Sequence, residues 1–177
     1  MKKVLILNGS ARKGGNTDLL IEAFEKGIKD ADAEMIRVSD FKVPPCDGCN
    51  ACLHNDSGRC VKHDDMMFFW EKLSKTDVLV IASPVYFYGI SATLKAVIDR
   101  LHAPARNDLP IKKTALLLVG ASSRENVFDA TILQYKCIVD FFGLENIGEV
   151  CVGKVKEIGD IKDHPLLSVA EETAKKI

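Results

Sequence analysis

What most constrains this chain is its rhythm: short, wholly apolar runs alternate with longer segments of helical spacing. Val4 to Leu7, Val78 to Ala82 (V-L-V-I-A) and Thr114 to Val119 are too short for amphipathic helices. They also lack the polar–apolar alternation of a half-exposed strand, so they read as strands buried on both faces. Glu34 to Val38 and Asn146 to Val152 complete a set of five.

Helical patterns fill the intervals. Leu19/Leu20, Ala23/Phe24 and Gly27/Ile28 recur every three or four residues, with Asn16 or Thr17 as N-cap and Asp18 in the first turn. Asp64-Asp65 opens a helix through about Lys75, with Met67, Trp70 and Leu73 on one face; Phe68-Phe69-Trp70 serves either the core or a contact surface. Ala92 to Leu101 turns Leu94, Val97, Ile98 and Leu101 inward and leaves Lys95 and Asp99 as a solvated pair. Ser122 with Glu125 reads as a capping box for a helix running towards Phe142. Asp163-His164-Pro165 starts a last helix that ends on Lys175-Lys176. This alternation predicts an α/β sandwich around a parallel sheet, as one domain over residues 1–177. Ligands in such sheets bind beyond the carboxyl ends of the strands, near a switch point. Chemistry is therefore expected in the loops after Leu7, Val38, Ala82 and Val119.

Charge and hydropathy narrow the function. The chain carries 24 Lys and Arg against 25 Asp and Glu, without the basic excess of a nucleic-acid binder. Its N-terminal apolar run is too short for a secretory signal, and no stretch approaches a membrane span. A cytoplasmic location is expected, where clustered cysteines point to metal or redox chemistry rather than a disulfide framework. Cys137 and Cys151 stand apart in apolar settings and read as small buried hydrophobes.

The first loop, Gly9 to Thr17, joins strand to helix with glycines, hydroxyls, an amide and Arg12. Gly9 and Gly14 have P-loop spacing, but Gly15 stands where the lysine belongs, so triphosphate chemistry is not expected. The dinucleotide fingerprint G-x-G-x-x-G is also missing, although Asp40 could imitate its ribose acid. What remains suits a single terminal phosphate, as on FMN, at a helix N-terminus. After the third strand, Ser83-Pro84-Val85-Tyr86-Phe87-Tyr88-Gly89 sets three consecutive aromatics where walls for a planar ring are needed. Gly120-Ala121-Ser122-Ser123, after the fourth, is small enough for a ring to approach the backbone.

Between Asp40 and His63 the periodicity is lost, and four cysteines fall together: Cys46, Cys49, Cys52 and Cys60. Compact domains seldom keep so long an irregular stretch without a use for it. Three thiols at three-residue intervals can fold around one compact object, and Cys60 can return as a fourth ligand. Ferredoxin-type clusters use a related C-x2-C-x2-C run. Zinc prefers two separated pairs, and a bare C-x-x-C redox pair leaves Cys52 and Cys60 without a task. A [4Fe–4S] cluster, zinc, and metal-free thiols or a disulfide all remain open; His54 and His63 read as bystanders.

The blocks G-S-A-R-K-G-G-N-T, S-P-V-Y-F-Y-G followed by L-K-A-V-I-D-R, and C-D-G-C-N-A-C…G-R-C-V-K-H-D-D-M resemble the flavodoxin-like, FMN-binding NAD(P)H-dependent reductase superfamily, in particular its iron–sulfur flavoprotein branch. The resemblance covers the chain to about Gly120 and weakens beyond Val152. It implies a strand order of 2-1-3-4-5 and FMN at the strand carboxyl ends. Ser10, Arg12, Asn16 and Thr17 would then hold the phosphate. Pro84, Val85, Tyr86, Phe87 and Gly89 would line the ring, and Gly120 would complete the pocket. It further implies NAD(P)H as co-substrate, a [4Fe–4S] cluster on Cys46, Cys49, Cys52 and Cys60, and a homodimer or homotetramer. The acceptor would be a small molecule such as a quinone, a nitroaromatic, a disulfide or oxygen, with ferredoxin as a possible protein partner. The rival readings are a non-enzymatic flavodoxin-type carrier and a thiol or zinc redox sensor on the same fold. No side chain stands out as a catalytic acid or base.

Overall fold

The computed structural model describes residues 1–177. Five parallel strands, β1 (Lys2–Asn8), β2 (Ala31–Arg37), β3 (Val78–Pro84), β4 (Lys113–Val119) and β5 (Glu145–Val152), form one sheet in the order β2-β1-β3-β4-β5. Five helices connect and flank them: α1 (Asn16–Glu25), α2 (Met66–Leu73), α3 (Ala92–Arg100), α4 (Asp129–Phe142) and α5 (Leu166–Ala174). This is the expected flavodoxin-like sandwich.

Successive side chains on a strand point to opposite faces, so each central strand feeds two cores. Leu5, Leu7, Leu79, Ile81, Leu116 and Leu118 pack with Phe69, Trp70, Leu94, Val97 and Val139 of α2, α3 and α4. Val4, Ile6, Val80, Ala82, Leu117 and Val119 pack with Leu20, Phe24, Ala170 and Ala174 of α1 and α5. These strands are apolar at every position because both faces are covered. On the second face α1 and α5 approach closely. A Cβ on Gly27 would fall 1.9 Å from the Glu171 carbonyl oxygen, so only glycine fits there. From β1 the chain steps outward to β2, then crosses back to β3 on the other side of β1. That reversal opens the crevice at the strand ends.

Several expected boundaries move. The second strand starts earlier, at Ala31, and Val38 instead enters a 3₁₀ turn over Val38–Asp40. β3 is not stopped at Ser83 but continues through Pro84, which pairs with Val119 at the strand's last position, where a missing N–H is tolerated. In α2 the buried face is Met66, Phe69, Trp70 and Leu73, while Met67 is exposed. The aromatic run therefore serves the core, with Phe68 stacked on Phe41. Ser122 and Glu125 form no capping box: Ser122 Oγ accepts from the Arg124 N–H, Glu125–Val127 is a 3₁₀ turn, and α4 begins only at Asp129. Cys137 is exposed rather than buried. Cys151 is half-buried, and burial, helped by Glu149, pushes its thiol up to about 12.

Candidate functional site

A cleft of about 270 Å³ lies beyond the carboxyl ends of β1, β3 and β4. One end is polar. Ser10, Arg12, Gly15, Asn16 and Thr17 line it from the first loop, and Val155 and Lys156 close it from beyond β5. The N-terminus of α1 opens into this end, and no side chain caps it. Its first N–H groups have no partners within the helix, and the helix dipole makes the end electropositive. The expected cap at Asn16 or Thr17 is replaced by Gly15. Asn16 is committed elsewhere: its amide donates to Glu157 O at 2.8 Å and accepts from the N–H groups of Gly159 and Ile161. It pins the start of α1 to the loop after β5. Arg12 reaches the same loop, donating to Lys156 O at 3.2 Å.

Behind the loop stands a buried network. Asn8, Asp18 and Arg37 come from β1, α1 and β2. Asp18 accepts from Asn8 Nδ2, the Gly14 N–H and Arg37 Nη2, each at 2.7 Å. Arg37 Nη1 also donates to Ser10 O at 2.6 Å, and Asn8 Oδ1 accepts from the Ser10 N–H at 2.9 Å. Burial opposes the Asp18 charge, but the hydrogen bonds from Arg37, Asn8 and Gly14 outweigh it and hold the carboxyl below its ordinary value. Gly9 lies against α3, where a Cβ would meet Ser91 Oγ at 2.6 Å.

The opposite wall is apolar. Pro84, Val85 and Tyr86 supply it, with Gly120 and Ala121 after β4. Tyr86 to Gly89 forms a tight hairpin: the Tyr86 N–H donates to Gly89 O at 2.9 Å, and the Gly89 N–H donates back to Tyr86 O at 3.2 Å. Phe87 and Tyr88 take φ of 48° and 68°, the left-handed pair of a type I′ turn. Phe87 is 97% exposed and, like Gly89, does not line the cleft. Thr131 Oγ1 donates to Tyr88 O at 3.0 Å, tying the turn to α4.

The cysteine loop lies apart from the cleft lining. It is fastened at three points. The Lys42 N–H donates to Asp65 Oδ2 at 2.6 Å, the Ala105 N–H to Gly58 O at 3.0 Å, and Arg100 Nη1 weakly to Pro44 O at 3.5 Å. Arg100 is buried, pairs with Asp64 at 2.6 Å, and sits beside the Cys60 thiol with Nε and Nη2 unpartnered. Cys52 packs on the core beside α2, whereas Cys46 and Cys49 face solvent. No three thiol, imidazole or carboxylate groups converge to hold a metal ion. As arranged, the four cysteines do not fit a cluster cage or a zinc site, and no electron step is derived through one.

Of the residues singled out in the sequence, Ser10, Arg12, Asn16, Thr17, Pro84, Val85, Tyr86 and Gly120 meet in one cleft. Asp40 lies in the turn after β2 and does not line it. Sequence reasoning missed Asn8, Arg37, Lys156 and the bracing role of Asp18. No helix is long and apolar enough to cross a membrane.

Comparison with known proteins agrees with this geometry. A family model described as NADPH-dependent FMN reductase matches residues 2–155. The Bacillus subtilis protein YwqN, provisionally named an NAD(P)H-dependent FMN-containing oxidoreductase, is 30% identical over 183 residues, covering 98% of this chain and 97% of the relative. An iron–sulfur flavoprotein of Methanocaldococcus jannaschii is 32% identical over 193 residues, covering 99% and 95%. The solved NAD(P)H:quinone oxidoreductase of Methanothermobacter marburgensis shares the fold, with a TM-score of 0.75 at 18% identity over 99% of this chain and 96% of that one. With the family match running through every strand and every cleft-forming loop except the last residue, Lys156, the chain belongs to the NADPH-dependent FMN reductase family and is an FMN-dependent, NAD(P)H-dependent oxidoreductase.

Proposed function

We propose that the cleft holds FMN with its phosphate at the start of α1 and its ring against the apolar wall, and that the enzyme reduces a small flat acceptor such as a quinone or a nitroaromatic, or oxygen. The observation that carries this reading is the uncapped helix start facing Pro84, Val85 and Tyr86 across one cleft. The N–H groups of α1, the hydroxyls of Ser10 and Thr17 and the guanidinium of Arg12 supply donors to a phosphate. Asn16 acts one step back, by fixing the loop after β5 that closes the cleft. Gly120 leaves room for a ring to lie on the backbone.

Bound FMN supplies the redox chemistry, taking a hydride from reduced nicotinamide and returning electrons to the acceptor. The protein's part is placement. Tyr86 and Tyr88 are exposed at the turn beside the cleft, and they offer apolar faces and hydroxyl donors to an incoming ring. No side chain is assigned as an acid or base, since hydride transfer between stacked rings requires none.

Titration of apoprotein with FMN, followed by quenching of flavin fluorescence, tests the placement. Arg12→Ala and Thr17→Ala are each expected to raise Kd about tenfold, the loss of one charge-assisted or hydroxyl hydrogen bond. Cys49→Ser should leave Kd unchanged. Unaltered binding in both the Arg12 and Thr17 variants would remove the phosphate from this end. Steady-state NAD(P)H oxidation with quinone, nitroaromatic and oxygen in turn then identifies the acceptor.

A further inference from the structure

α4 is apolar on two sides. Its inner side, Thr131, Tyr135 and Val139, is buried against the sheet. Its outer side presents Leu133, Cys137 and Phe141, with Leu133 64% and Phe141 58% exposed. A helix apolar on both sides is normally covered on both. Beside the outer stripe, α3 and α4 enclose a groove of about 370 Å³ floored by Ile98 and Ile138. The groove is remote from the cofactor cleft and shares no lining residue with it.

We propose that this face receives a second copy of the same chain, the two α4 helices packing antiparallel about a two-fold axis at Cys137. The spacing selects that occupant. Leu133 and Phe141 lie four residues before and after Cys137, so the axis sets each Phe141 against the other copy's Leu133, at the mouth of its groove. The charges agree. Lys136 and Asp140 are exposed along the flank of the stripe away from α3. At about 1.5 Å of rise per residue, the two-fold lines them up as Asp140, Lys136, Lys136, Asp140, each lysine about 3 Å along the axis from the other copy's aspartate. A surface that complements itself under a two-fold is what an isologous dimer requires, and an unrelated partner would not demand it.

Sedimentation velocity on the full chain tests this. Wild type is expected to be an even-numbered assembly, and Leu133→Glu/Phe141→Glu a folded species of half its mass, with dimer Kd raised about a hundredfold. Both side chains are exposed in the single chain, so folding is not at risk; circular dichroism and the thermal midpoint confirm it. Val169→Glu, an exposed apolar position on α5, should keep the wild-type mass. Asp140→Lys should weaken association, and adding Lys136→Asp should restore it. A wild type that stays monomeric to about 100 µM overturns the proposal, because association must show at some concentration. So does a Leu133→Glu/Phe141→Glu variant of undiminished mass.

Discussion

Asp18 joins the first turn of α1 to the tip of the loop and to β2 with two carboxylate oxygens. Its folded-state value lies below its unfolded one. The stability it contributes is therefore complete above the ordinary aspartate range, near 4, and is lost as pH falls through the lower folded value. Asp18→Asn should cost about 3 kcal/mol at neutral pH, by leaving the buried Arg37 guanidinium without its partner. It should also flatten the fall in stability below about pH 4, read from urea unfolding at several pH values. A variant as acid-sensitive as wild type would acquit Asp18. The sequence showed Ser10, Arg12 and Thr17 because they lie together in one short loop whose composition declares an anion site. It hid Arg37, which reaches that loop only once β1 and β2 pair, and it could not tell that Asn16 would be engaged by a segment some 140 residues away.

Helix and strand existence was legible; their ends were not. Apolar runs buried on both faces announce strands, but Ser122-Glu125 imitates a cap because three-residue spacing alone cannot say whether the chain then turns as 3₁₀ or α. Met66 and Met67 are equivalent by composition, and only packing decides which of them points inward. The Tyr86–Gly89 hairpin holds two aromatics in a backbone conformation that Asn-Gly adopts far more readily. Replacing Phe87→Asn and Tyr88→Gly together should raise stability by about 1–2 kcal/mol, seen as a higher thermal midpoint. It should also raise KM for a flat acceptor and spare KM for NAD(P)H. An unchanged midpoint would mean that the turn carries no strain. On the other side of the sheet, Gly27→Ala forces α5 away from α1 and should cost about 1–3 kcal/mol in urea unfolding, while Gly14→Ala, whose Cβ would meet nothing, tests backbone conformation alone.

The sheet order follows from the alternation of elements together with the family likeness, and the position of the cleft follows from the order, so both could be anticipated. The arrangement of the cysteine loop could not. Spacing announces that thiols are neighbours along the chain, whereas Cys52 turns to the core, Cys60 to Arg100, and Cys46 and Cys49 to solvent. Those directions are set by the anchors at Lys42, Pro44 and Gly58, and none of these has a motif. The cleft gathers its lining from Ser10 at one extreme to Lys156 at the other. No amino-terminal fragment contains it. During synthesis, capture of the flavin must wait until nearly the entire polypeptide has left the ribosome, so the newborn chain has to hold its α/β scaffold together without help from its prosthetic group.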